Sequence, residues 1–196
     1  NKKLISKNIQ GEARKIRYNM LLNFSKKYNV KTILTAHNLE DQVETFFIRL
    51  SRGSGLTGLS GMKKLSNLDN KVKLFRPFLD TKKASLIKIS SKVFGKYFFD
   101  PSNKNNKYLR TKIRNLKNPL LKSGISYDQI IRSINNLASS KEILDKHTKD
   151  ISKNLIKKSK SEIFIDLKKF IKLNLEIKLK IINESIKKLK KNYYNP

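Results

Sequence analysis

The sequence predicts an α/β fold built on a parallel sheet, followed by a smaller and mostly helical domain. Three observations carry this expectation. Apolar spacing passes from helical to strand-like and back to helical between Asn8 and Leu50, the signature of a βα unit. Four of the chain's 7 glycines then crowd into residues 53–61, a loop where backbone must come close to something. Beyond Ser123 and Gly124 the pattern turns almost wholly helical and rich in lysine.

Taken in order, Ile9, Ala13, Ile16, Met20 and Phe24 predict a helix over Asn8–Tyr28 with a basic opposite face. The β-branched run within Lys31–Ala36 predicts a buried strand, and Leu39–Leu50 returns to helical spacing. Lys71–Phe75 reads as a second strand ended by Pro77. Asp80 or Thr81 is the expected cap of a helix that runs to Phe94 and stops at Gly95. A short strand is expected over Lys96–Phe99, then a basic helix over Asn106–Asn118 broken by Pro119. One long helix follows over Ser126–Lys158, with Ile130, Ile134, Leu137, Ile143 and Leu144 on its apolar side. A strand over Glu162–Leu167 and a lysine-rich helix over Leu175–Lys190 close the chain. The expected domains are 1–122 and 123–196.

Composition narrows the function. Lys+Arg 45 against Asp+Glu 15 leaves a formal net charge of +30 on 196 residues, which points to a polyanionic partner such as RNA. Enrichment in Lys, Asn and Ile is also what AT-rich coding produces, so the charge is a footprint only where it is patterned. With Cys 0, these residues supply no disulfide, no thiolate zinc site, no iron–sulfur ligation and no cysteine nucleophile. The apolar runs are far too short to cross a bilayer, and no membrane role is expected.

The chemistry concentrates in one stretch. At about 100° per residue on a helix, Val43, Phe46, Phe47 and Leu50 share a core face while Asp41, Glu44, Thr45, Ile48 and Arg52 share the other. Two carboxylates three residues apart, with an arginine beyond, suit an ammonium group held beside a phosphate. The plain alternative is a solvated acidic face that favours the helix start. His37 follows the strand directly, at the sheet edge where open α/β folds bind ligands. Lys107, Tyr108, Arg110, Lys112, Arg114 and Lys117 make an aromatic-interleaved basic helix that suits an RNA phosphate track or the roof of a nucleotide site, the plain alternative being a solvated lysine face. His147 and the Lys180–Lys191 run read as solvated surface.

The run from Thr35-Ala36-His37-Asn38-Leu39-Glu40-Asp41-Gln42-Val43-Glu44-Thr45 to Arg49-Leu50-Ser51-Arg52-Gly53-Ser54-Gly55-Leu56-Thr57-Gly58-Leu59 resembles the central signature of the tRNA(Ile)-lysidine synthase family. Ala13-Arg14-Lys15-Ile16-Arg17-Tyr18, Arg76-Pro77-Phe78-Leu79, Asp100-Pro101-Ser102-Asn103, Tyr108-Leu109-Arg110 and Ile113-Arg114 occur in that family's order. The resemblance implies an N-type ATP pyrophosphatase (Rossmann-like) domain followed by an incomplete, mostly helical tRNA-binding domain. It implies ATP with Mg²⁺, isoleucine tRNA with a CAU anticodon and free L-lysine, in bacterial cytoplasm or plastid stroma; a homodimer is left open. Asp41 and Glu44 match the lysine-holding catalytic carboxylates, and His37, Arg52, Gly53, Ser54 and Gly55 the nucleotide side. Arg110, Lys112, Arg114 and Lys117 fall to tRNA, and no protein metal site is implied.

The sequence departs from that pattern at Glu40, where the family commonly has Asp, at Thr111 in place of Asn and at Asn115 in place of His. Its Ser-Gly-Gly-x-Asp-Ser phosphate loop does not occur here, so the chain reads as a segment not expected to turn over ATP alone. Two alternatives stand beside a lysidine-type ligase: another ATP pyrophosphatase such as a tRNA thiolase, against which Cys 0 argues, and a non-catalytic RNA-binding module on the same scaffold.

Overall fold

The computed structural model describes residues 9–97, 109–159 and 162–189. The chain forms two compact units, Asn1–Ile134 and Asn135–Pro196. In the first, helix α1 (Ile9–Lys27) precedes strand β1 (Thr32–Leu34), and Asn29, at φ 52, makes the left-handed turn between them. Helix α2 (Leu39–Leu50) follows, then the one-turn helix α3 (Leu56–Leu59), strands β2 (Leu65–Asn67) and β3 (Lys73–Phe75), and helix α4 (Lys83–Phe94). Helices α5 (Leu109–Asn115) and α6 (Lys117–Lys122) lead into α7 (Tyr127–Leu155), within which the division between units falls.

β1 and β3 pair in parallel with Ile33 opposite Leu74, as the strand–helix–strand pattern predicts. β2 adds to the far side of β3 in the antiparallel sense, so the sheet is mixed, in the order β1-β3-β2. Its Leu-Ser-Asn sequence holds no β-branched residue; pairing, not propensity, makes it a strand. Ile33, Val72 and Leu74 bury one sheet face under Tyr18, Leu21 and Leu22 of α1. A second core joins Leu39 and Val43 of α2 to Ile130 and Ile134 of α7.

Several expectations need correction. Lys82 stands at the N-cap of α4 with no side-chain cap of its own, and neither Asp80 nor Thr81 fills that role. Pro119 does not break the basic helix. The chain turns at Leu116 instead and restarts as α6, where Pro119 occupies the third helical position. A missing N–H costs nothing there, because the first N–H groups of a helix have no internal partner. Leu50 is 47% exposed and Ile143 70% exposed, so neither sits in a core; Leu50 is the last residue of α2. Residues 96 and 97 form no strand; the rest of Lys96–Phe99 and the start of the Asn106–Asn118 helix lie outside the described residues.

In the second unit, α7 gives way to β4 (Ile156–Lys158), which pairs antiparallel with β5 (Ile163–Ile165) where one unbroken helix to Lys158 is expected from sequence. Helices α8 (Leu167–Phe170) and α9 (Leu175–Leu189) follow. Leu155, Ile177 and Ile181 form its core, and Asp145 is clamped between Lys141 and Lys180. Among the described residues no helix is long and apolar enough to cross a membrane.

Candidate functional site

The carboxyl ends of the parallel strands bring His37 and Arg76 to one edge, since the backbone N–H of Thr35 still donates to the Phe75 carbonyl at 3.0 Å. Just beyond, Asn38 starts α2 with a reciprocal cap. Its side chain accepts from the Asp41 N–H at 3.1 Å, and Asp41 Oδ2 accepts from the Asn38 N–H at 3.0 Å. Asn38 in extended backbone is what the cap requires, and the exchange fixes the Asp41 side chain. One carboxylate oxygen of Asp41 is therefore committed to the helix, while Oδ1 lies 3.9 Å from a guanidinium nitrogen of Arg110.

Glu44 is not a solvated residue. It is 1% exposed, because α5 lies over that side of α2. Arg114 Nε donates to its Oε1 at 2.7 Å and Arg114 Nη2 to its Oε2 at 3.2 Å, while Arg110 Nε sits 2.9 Å from Oε2. The Arg110 contact is electrostatic, without the angle of a directed hydrogen bond. The Glu44 hydrogen bond raises the Arg114 pKa above its ordinary value against the opposing effect of burial. Two residues assigned to tRNA by sequence thus converge on a residue assigned to lysine. Thr111 and Ile113, buried on α5, seat that helix.

Glu40 reaches sideways. Its Oε2 accepts the Lys83 N–H at 2.8 Å and so supplies the cap that α4 lacks, while Lys117 lies 3.7 Å from Oε1 and 5.2 Å from the centre of the Tyr127 ring. Between these elements is a cavity of about 230 Å³ lined by Glu40, Glu44, Lys83, Ile87, Arg114 and Tyr127. It is smaller than the roughly 300–1,000 Å³ of sites for drug-sized ligands.

His37 is half-buried, with Nδ1 2.9 Å from the Thr35 hydroxyl. Burial lowers its pKa below 6.5 against the pull of Asp41, and the charges of Arg76, Arg14 and Arg110 lower it further, so the neutral imidazole is favoured near pH 7. Arg52, Gly53 and Gly55 are exposed, Ser54 is half-buried, and Gly53 takes φ 69. Lys112 points into solvent, and no cluster of three or more potential metal ligands occurs among the described residues. Sequence reasoning missed Gln42 and Arg49. Their signal was present: they stand seven residues apart, on one stripe of α2, directly before a glycine-rich loop.

The sequence profile of the PP-loop domain matches residues 1–121. A tRNA(Ile)-lysidine synthase of Wolbachia pipientis is 35% identical over all 196 residues, and one from Orientia tsutsugamushi is 42% identical over 117 residues, 60% of this chain. The chain spans 45% of the Wolbachia protein's length and 26% of the Orientia protein's. Among solved structures, the U34-tRNA thiolase NcsA of Methanococcus maripaludis, with its [4Fe-4S] cluster, superposes with a TM-score of 0.52 at 19% identity, over 70% of this chain and 45% of that one. That likeness concerns the fold alone.

Proposed function

The chain belongs to the PP-loop domain family, and from that premise we propose that its residues form part of an ATP-dependent ligase that joins lysine to C2 of the wobble cytidine of an isoleucine tRNA with a CAU anticodon. The observation that carries the reading is the carboxylate and arginine cluster on α2 and α5, at the carboxyl edge of parallel strands, in a chain similar along its whole length to proteins named tRNA(Ile)-lysidine synthase.

In this reaction the O2 of cytidine attacks the α-phosphorus of ATP and pyrophosphate leaves, so that C2 carries an adenylate. The lysine ε-amine then adds to C2, loses a proton, and AMP departs with the former O2. The amine must be neutral to attack. Asp41 Oδ1, free of the helix cap, is placed to hold the ammonium and take its proton. Glu44 has both oxygens occupied and acts through Arg110 and Arg114, whose charge offsets the negative charge on the departing phosphate. The neutral His37 and the exposed Arg52–Gly55 segment belong to the nucleotide, and Lys112 and Lys117 to tRNA phosphates. Mg²⁺ would arrive on the ATP phosphates, which need no protein cage.

The test is to incubate the full-length protein carrying these residues with isoleucine tRNA, ATP and labelled lysine. Label should enter tRNA with one AMP released per lysine. Asp41→Asn should raise the lysine requirement about ten- to hundredfold, the equivalent of roughly 1.5–3 kcal/mol for a hydrogen bond to a charged group, and leave adenylation nearly intact. Equal loss of both steps at unchanged stability would move Asp41 to the nucleotide side. Tight tRNA binding without label transfer would favour the non-catalytic module.

A further inference from the structure

The glycine-rich loop has two halves with different support. Residues 58–63 are fastened by side chains from the helix and the sheet. Gln42 Nε2 donates to the Met62 carbonyl at 2.9 Å and Gln42 Oε1 accepts the Met62 N–H at 2.7 Å, so the buried amide acts as an extra peptide group. Arg49 Nη1 donates to the carbonyls of Gly58 at 2.6 Å and Gly61 at 3.1 Å, and Arg76 Nη1 donates to that of Lys63 at 2.7 Å. The approach is close. At Gly61, with φ 73, an added Cβ would stand 2.7 Å from Ile134 and 3.0 Å from Gln42 Oε1. At Gly53 and Gly55, in the other half, an added Cβ would meet nothing within 4 Å.

Arg49 forms no ion pair with a carboxylate among the described residues. Burial lowers its pKa, and the neighbouring charges of Arg76 and Arg14 lower it further. A half-buried cation engaged only with carbonyl groups bears a desolvation cost that no counter-charge offsets. What the contact secures is geometry, because a single guanidinium nitrogen, Nη1, held in a rigid plane, ties two carbonyls at once.

We propose that Arg49, assisted by Gln42, is a positioning residue that holds the 58–63 half of the loop so that the Arg52–Gly55 half is presented to the phosphates of ATP. This rests on the nucleotide role given to Arg52–Gly55 above. If loss of the clamp leaves the loop in its competent arrangement about one tenth of the time, the apparent ATP affinity falls about tenfold. Lysine, held by Asp41 about two turns of α2 away from Arg49, is untouched.

The test compares the full-length protein with its Arg49→Gln and Arg49→Lys variants. It measures the ATP and lysine requirements for tRNA-dependent AMP release, thermal unfolding, and amide exchange at residues 53–55 with and without ATP. Arg49→Gln should raise the ATP requirement about tenfold with the lysine requirement unchanged, and should lose ATP-induced protection of those amides. Arg49→Lys keeps the charge but carries it on a flexible stem without the guanidinium plane, and should fall between the unaltered protein and Arg49→Gln. If Arg49→Gln does not fold, Arg49→Lys alone decides the matter. An ATP requirement that does not change, or that rises together with the lysine requirement, overturns the positioning role. Absence of ATP-dependent protection in the unaltered protein overturns the nucleotide reading itself, which is a distinct failure.

Discussion

Glu44→Gln separates a residue that holds substrate from one that holds the site together. The side chain is 2% exposed, and the guanidinium nitrogens of Arg114 and Arg110 lie 2.7 and 2.9 Å from its oxygens. An amide has nearly the same shape but no charge, and it presents an N–H₂ to groups that are themselves donors. Removing one partner of a buried ion pair costs roughly 3–5 kcal/mol. Arg110 and Arg114 remain 37% and 32% exposed and recover some hydration, so the lower end, about 3 kcal/mol, applies. In a protein of this size that corresponds to a fall in Tm of roughly 6–12 °C. The assay is thermal unfolding at neutral pH, with Arg114→Gln and the double variant completing a cycle. The double variant should lose less than the sum of the singles, by a coupling of roughly 1–3 kcal/mol. A Glu44→Gln protein melting within about 1 °C of the unaltered one, with coupling near zero, would refute the reasoning.

Two further outcomes follow from charge. The +30 net charge should make the tRNA affinity of this chain fall steeply with salt, each neutralised phosphate adding roughly 0.7–0.9 to the log–log slope, and a flat salt titration would refute a polyanion partner. In the second unit, burial alone would raise the Asp145 pKa, but hydrogen bonds from Lys141 and Lys180 outweigh it and hold the carboxyl below 3.8. The stabilisation is therefore present above that pH and lost as pH falls through the lowered value; Asp145→Asn should weaken the unit at neutral pH and flatten its acid limb in denaturant titrations.

Local signals made much of the fold legible. The span of α2 follows from apolar spacing, and that of β1 from its β-branched residues, both decided within a few residues of chain. Non-local causes hid the rest. β2 exists because β3 offers it an edge, and α4 is capped by Glu40, 43 residues earlier in the chain. The candidate site was legible as a list of residues, not as an arrangement. Asp41 and Glu44 look equivalent on a helical wheel, and only the placement of α5 over Glu44 makes one a buried anchor while the other keeps an oxygen open.

The polar residues of α2 show why such a site tolerates so little exchange. Glu40 caps α4, Asp41 closes the cap of α2 itself, Gln42 and Arg49 hold the glycine-rich loop, and Glu44 fastens α5. Four side chains on twelve residues thus set the positions of three neighbouring segments, and a fifth caps the helix itself. Most of this helix's hydrogen-bonding capacity is spent on architecture, which leaves few groups for substrate. Asp41 Oδ2 and Glu40 Oε2 accept backbone N–H groups and both Glu44 oxygens face guanidinium nitrogens, which leaves Asp41 Oδ1 and Glu40 Oε1 facing only a cation, at 3.9 and 3.7 Å. Chemistry that needs a carboxylate to bind a cation and then accept its proton must use an oxygen not already occupied by donors, because lone pairs taken by other groups cannot also contact the incoming cation. Under the proposed function this favours Asp41 over Glu44 as the proton acceptor, with the Asp41 rotamer fixed by the helix cap through its other oxygen.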